Sequence, residues 1–173
     1  NVEAARFMLD NLIDPAAGAT TGSRLEAAKL IASLPVPCGP QLRRLLEDED
    51  REVRRAAIVA AGRTRAVGTV EALVRLLADP ALAGDGSAAL AALGAAAVPA
   101  LAAALADEGL AIDARRGVPP VLAAIGGDQA QRVLYEHLLV GDVVLRYRMI
   151  TALARLQRQR PGTPVDRQAV EVV

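Results

Sequence analysis

The sequence predicts an all-α protein, a right-handed α-solenoid of about five helical hairpins (an α-α superhelix). Three observations predict it. Gly62, Gly94 and Gly126 stand 32 residues apart, and each closes a small apolar run: Ala-Ala-Ile-Val-Ala-Ala, Ala-Ala-Leu-Ala-Ala-Leu and Pro-Val-Leu-Ala-Ala-Ile. Each run lies downstream of a copy of one short motif, Leu-Leu-Glu-Asp48, Leu-Leu-Ala-Asp79 or Ala-Leu-Ala-Asp107. A period near thirty residues with two helices in it is how stacked-repeat proteins read in sequence. The composition agrees. Hydrophobic residues make up 53% and aromatics only 2%, so the core is built from Ala, Leu, Val and Ile. Small side chains let helices approach closely, and Val and Ile show no alternating runs of the strand type.

The first hairpin spans about 2–35. Glu3 to Ile13 places Ala4, Phe7, Met8 and Leu12 on one helical face, and Asp14 to Gly22 is a loop by composition. Ser23 with Glu26 has capping-box spacing and opens a helix to Leu34, which Pro35 and Pro37 stop. The second hairpin, 39–63, has a short helix from Pro40 to Glu47, a turn at Asp48 to Asp50, and a helix from Arg51 to Gly62. There Gly62 is expected as a left-handed C-terminal cap. In the third, 66–94, Val67 to Leu77 repeats the short helix. Asp79-Pro80 turns, and a helix runs to Leu93 across Gly84-Asp85-Gly86, where a break is expected. In the fourth, 96–126, Pro99 fits a first turn and Pro119-Pro120 predicts a kink in Leu110 to Ile125. In the fifth, 128–158, Asp128 caps a helix to Leu139, Gly141-Asp142 turns, and Val143 to Arg158 is the last long helix. A short terminal helix is expected over 165–173 as a partial cap. The chain starts at Asn1 rather than Met, and we expect it to be part of a longer protein.

The pattern Leu-x-x-Leu-Leu-x-Asp followed by Val-Arg-x-x-Ala-x-x-Ala-x-Gly, clearest at Leu42 to Gly62, resembles the HEAT repeat family, particularly its short bacterial, armadillo-like type. The resemblance covers about Gly39 to Leu156. The first hairpin lacks the Val-Arg pair, the third has Ser87 where the arginine would fall, and the fourth has Arg115 with a double proline. In that family the Asp and Arg of the pattern bond between neighbouring repeats. The resemblance therefore implies structural ladder residues: Asp48 with Arg54, Asp107 with Arg115, and Asp142 with Arg146. Residues from Leu145 to Arg167 are also similar to the ends of HEAT domains attached to bacterial transporter-like membrane proteins, some of which carry cyclic-nucleotide-binding modules.

Charge and chemistry narrow the function. Lys+Arg 20 and Asp+Glu 20 cancel, so no global field draws nucleic acid or an acidic membrane. Gly86 to Ala106 holds no charged residue and is long enough to span a bilayer. Gly94 and Pro99 divide it, however, and it reads as two buried repeat helices with no direct membrane insertion. A lone His137, with only Glu136 beside it, cannot supply a metal ligand set, whereas some HEAT-like enzymes hold a di-iron centre with repeated His-Glu pairs. Cys38 between Pro37 and Gly39 reads as a structural thiol. There is no phosphate-loop motif, and aromatics for base stacking, as HEAT-like DNA glycosylases need, are scarce. The expectation is therefore no enzyme, no cofactor and no metal.

Arginines recur at 43–44, 54–55, 63 and 65, 115–116, and 146 and 148. They read as solvated surface plus ladder, or more sharply as a basic stripe that grips an acidic partner or a phosphate. Arg51, Arg55, Arg116 and Arg148 are the candidate partner-binding residues. The leading expectation is a non-catalytic protein-interaction or scaffold domain that binds a partner on the concave side lined by the second helices. Other readings are a cytosolic regulatory domain of a larger membrane protein packing on its own neighbours, and a lyase-like enzyme. The location expected is cytoplasmic.

Overall fold

The turn before each second helix is where sequence becomes structure. Asp50 sits in extended backbone, and its side chain accepts from the amides of Glu52 (2.8 Å) and Val53 (3.2 Å), so a helix starts at Arg51. The computed structural model describes residues 2–34, 37–139 and 141–159. Among them it holds helices and turns and no strand. In order these are α1 (Val2–Ile13), α2 (Thr21–Ile31), α3 (Gly39–Leu46), α4 (Arg51–Thr64), α5 (Val70–Leu76), α6 (Ala83–Leu93), α7 (Val98–Ala106), α8 (Ile112–Ile125), α9 (Gly127–Glu136) and α10 (Val143–Gln159). They pair as hairpins α1–α2, α3–α4, α5–α6, α7–α8 and α9–α10. The terminal helix expected over 165–173 lies outside the described residues.

The hairpins stack into a HEAT-type solenoid with two layers. The second helices α2, α4, α6, α8 and α10 pack side by side in sequence, more extensively than the first helices α1, α3, α5, α7 and α9. One continuous core runs between the layers. Its largest fully buried side chains are aliphatic, among them Ile31, Leu42, Leu45, Ile58, Leu73, Leu90, Leu101 and Leu122. No single hairpin buries both faces of its helices, so each depends on its neighbours for a core.

Several boundaries differ from the sequence reading, each for a physical reason. Helix α2 is capped by Thr20, with Ser23 closing the reciprocal capping box that was expected of Ser23 and Glu26. In α1 the buried residues are Leu9 and Ile13, and Phe7 and Met8 are exposed. Gly62 does not end α4. The helix runs on to Thr64, and Arg65 takes the left-handed conformation (φ 50°) instead. Gly62 is there because α6 comes so close: a Cβ at this position would stand 3.1 Å from Ala89 Cα. Gly94 (φ 66°) and Gly126 (φ 72°) do end their helices in backbone that suits glycine. Helix α6 is unbroken through Gly84 and Gly86, and α8 is continuous through Pro119 and Pro120. Asp128 falls inside the first turn of α9, after Gly126 at the cap position. Residues 83–106 are long and apolar enough to cross a membrane by length and composition. They are divided at Gly94 into α6 and α7, which pack in different layers of the stack.

Candidate partner-binding surface

The turns between first and second helices carry one repeated device. Asp14, Asp48, Asp79 and Asp107 each use Oδ1 to accept the backbone N–H two residues on, from Ala16 (3.0 Å), Asp50 (2.9 Å), Ala81 (2.9 Å) and Gly109 (2.9 Å). That leaves Oδ2 free for an arginine of the preceding hairpin. Arg24 on α2 reaches Asp48, with Nε–Oδ2 2.7 Å and Nη2–Oδ1 3.3 Å. Both side chains are about nine-tenths buried. Arg54 on α4 approaches Asp79 Oδ2 at 3.8 Å.

The pairings expected from family resemblance are therefore shifted by one repeat. Asp48 meets Arg24, not Arg54, and Arg54 reaches forward to Asp79. Arg115 is buried on α8 and donates twice to the Leu105 carbonyl, at 3.2 and 2.9 Å, instead of pairing with Asp107. That carbonyl is an open acceptor near the C-terminal end of α7, and the guanidinium satisfies it. Asp107 is exposed and makes no ion pair within 4 Å among the described residues. Asp142 pairs with Arg116, not Arg146, and also caps α10 by accepting from Leu145 N–H at 2.8 Å. Arg146 Nε is buried without a hydrogen-bond partner among the described residues. Arg24 was missed as a ladder residue because its helix is capped by Thr20 and not by Ser23. Counted from the true cap, Arg24, Arg54, Arg115 and Arg146 all stand at the fourth position.

The candidate partner-binding arginines are unlike one another. Arg55 is held by Glu52 (2.7 Å), Asp85 (3.1 Å) and the Ala81 carbonyl (3.2 Å). Arg116 is held by Asp113 (2.9 Å) and by Asp142. Their carboxylate hydrogen bonds, foremost those to Asp85 and Asp142, raise both guanidinium pKa values above the ordinary one. Arg148 is exposed and donates to the Arg116 carbonyl at 3.0 Å. Arg51 is exposed in the first turn of α4. The four do not form one stripe of uncompensated charge.

Between the second helices run two shallow grooves. One, of ≈ 290 Å³, lies between α4 and α6, with Val59, Gly62, Ala88, Ala89 and Ala92 along it and Arg63 and Asp85 at its sides. The other, of ≈ 160 Å³, lies between α8 and α10, lined by Pro120, Ala123, Tyr147, Thr151 and Arg155. A further groove of ≈ 310 Å³ separates α5 from α7 in the first-helix layer. Cys38 is buried, and burial pushes its thiol up, away from the nucleophilic thiolate. His137 Nδ1 lies 2.9 Å from the Val133 carbonyl of its own helix. Among the described residues no group of three or more His, Cys, Asp or Glu is placed to hold a metal ion.

Stacked two-helix repeats with an inter-repeat Asp–Arg ladder define an α-solenoid. Residues 10–94 match the family model of HEAT repeats. Such repeats generally mediate protein interaction or scaffolding. No curated protein matches the chain.

Proposed function

We propose that this is a non-catalytic interaction module that binds a protein segment along the face formed by α2, α4, α6, α8 and α10. The second helices pack along the stack more extensively than the first, which supports taking their face as the inner one. The observation that carries the reading is the α4–α6 groove. Gly62, Ala88, Ala89 and Ala92 leave a shallow apolar trough, and Val59 stands 47% exposed beside it. Such a trough takes a partner helix or extended segment by its small apolar side chains. Arg63 and Asp85 at its sides contribute orientation more than affinity.

The test is binding of a captured partner to the 173-residue chain and to Val59→Glu and Ala88→Arg, each measured at low and high salt. The groove reading expects capture that persists at high salt and falls at least about tenfold in both variants. Capture abolished by salt and indifferent to both substitutions would overturn it in favour of a basic stripe, which Arg51→Glu and Arg148→Glu would then remove.

A further inference from the structure

Where residues 32–34 and 37–39 meet residues 63–68, the edge of the stack opens into a pocket of ≈ 740 Å³, larger than the grooves between helices described above. Leu34, Pro37, Ala66 and Val67 give it apolar lining, and Arg63 and Arg65 give it charge. No Asp or Glu is among the described residues that line it. Two more arginines bond to lining residues, Arg6 donating to the Pro37 carbonyl at 2.9 Å and Arg43 to the Gly68 carbonyl at 3.3 Å. Asp10, whose charge reaches the Cys38 thiol in this wall, accepts from the Gln41 side-chain amide at 3.0 Å. A cleft lined by one sign of charge focuses its field and concentrates counter-ions.

Arg63 and Arg65 differ from the arginines that join the hairpins. Arg24, Arg54, Arg55 and Arg116 each meet a carboxylate of the chain. Arg63 and Arg65 are exposed, and their side chains have no hydrogen-bond or ion-pair partner among the described residues. A cation suits the last turn of a helix, which accounts for Arg63. It does not account for Arg65, which stands past the end of α4 in the left-handed region, at φ 50° and ψ 47°. That backbone is strained for an L residue, and arginine has no short polar side chain to bond locally as Asn does. Helices α6 and α8 also end at positive φ, but on Gly94 and Gly126. The turn after α4 thus holds an arginine where glycine would sit without strain, in the lining of a pocket without acids. Arg148 and Arg155 also share a groove, between α8 and α10, but it measures only ≈ 160 Å³ and Arg148 is held by the Arg116 carbonyl.

We propose that this pocket binds a phosphate monoester, with Arg63 and Arg65 clamping the phosphoryl group and the apolar lining taking the organic part that carries it. Elsewhere in the chain single carboxylates answer arginines. Two arginines without partners in one pocket match a group close to doubly charged, and the planar fork of each guanidinium suits phosphoryl oxygens. The pocket has room for more than a bare phosphate ion. The phosphate belongs either to a phosphorylated side chain of a partner protein or to a small free compound. The site does not rest on the α4–α6 groove: Arg63 borders both, but Arg65 borders the pocket and not the groove.

Nitrogen–proton NMR spectra of the 173-residue protein, titrated with O-phosphoserine, with serine and with a short phosphoserine peptide of neutral flanks, test this. The expected result is saturable shifts at the Arg63 and Arg65 side chains and at the amides of 64–68 with both phosphorylated probes, and none with serine. A peptide bound at least about tenfold more tightly than O-phosphoserine assigns the phosphate to a partner protein, and equal affinities assign it to a small compound. Arg63→Gln and Arg65→Gly should each weaken O-phosphoserine binding by about tenfold, and Arg155→Gln should leave it unchanged. Arg65→Gly carries a second readout. Glycine adopts the left-handed backbone without strain, so the thermal midpoint should hold or rise while binding falls. A midpoint that falls with binding intact would make Arg65 structural and overturn the proposal. So would shifts that do not saturate, shifts centred on Arg148 and Arg155, or binding that survives both substitutions.

Discussion

Asp48 shows how much one side chain does in this stack. Its Oδ1 shapes the turn by accepting from Asp50 N–H, and its carboxylate is bound by Arg24 from the hairpin before. Both partners are largely out of water, so removing one strands the other. Asp48→Ala is expected to cost about 2 kcal/mol of stability in urea unfolding, below the full cost of breaking a deeply buried pair because Glu49 at the rim gives Arg24 a second, exposed carboxylate. Replacing both, as Arg24→Met with Asp48→Leu, is expected to recover part of that loss; no recovery would mean the turn, not the pair, is what Asp48 supplies. Asp142 adds a pH dependence. Its carboxyl is held below the usual 3.8, first by the Arg116 hydrogen bond and then by the Leu145 amide. A carboxyl depressed on folding contributes stability that is complete above its unfolded value and lost as pH falls through the folded one. Acid unfolding below about pH 4 should therefore be less steep in Asp142→Asn, and an unchanged acid limb would count against the pair.

At the scale of the element, the sequence was most legible where one chemistry has one structural outcome. Asp50 before an apolar-periodic run became a cap, and the Leu-Leu-x-Asp copies became first helices followed by turns. It was least legible where two requirements choose the same residue. Gly62, Gly94 and Gly126 look equivalent in register, yet two of them end helices at positive φ and one lets two helices touch. Both demands are for a missing Cβ, so sequence alone does not separate them. The ladder was shifted for a related reason: a serine and a threonine three residues apart both look like caps, and choosing Ser23 hid Arg24. In α1 the apolar residues cover more than one face, and only packing decides that Leu9 and Ile13 go in while Phe7 and Met8 stay out. Gly117 tests close approach directly. A Cβ there would meet Leu77 Cβ at 2.8 Å, so Gly117→Ala forces α8 away from the end of α5. The expected cost is about 1–3 kcal/mol despite alanine's better helix propensity. A thermal midpoint at or above that of the parent would show that Leu77 moves aside.

For the whole molecule, stability is approximately a sum of hairpin terms and nearest-neighbour terms, so an interface lacking a rung is where the stack should open first. The ladder joins the first hairpin to the second, the second to the third and the fourth to the fifth, through Arg24–Asp48, Arg54–Asp79 and Arg116–Asp142. Between the third and fourth no such pair is present among the described residues. Helix α6 has Gly86 and Ser87 where the arginines would stand, and Asp107 and Asp113 are exposed on the facing side. A Cβ on Gly86 would already touch Leu77 at 3.5 Å and the Leu73 carbonyl at 3.7 Å, so a longer side chain there would run into α5. Ser87 is half-exposed and stands five residues after the cap, like Arg55 and Arg116, which reach Asp85 and Asp142. Ser87→Arg should supply the missing rung through Asp113 or Asp107. The pair would be solvent-facing, so the gain is held to about 0.5–1 kcal/mol, or roughly 1–4 °C in thermal midpoint for a chain of this size. Hydrogen exchange locates the effect: amide protection should rise in α6 and α8 while α2 and α4 stay as they are. Asp113→Asn combined with Asp107→Asn should erase the gain. A stabilised protein whose added protection lies elsewhere, or persists without both acids, would show that the third junction is not the weak one.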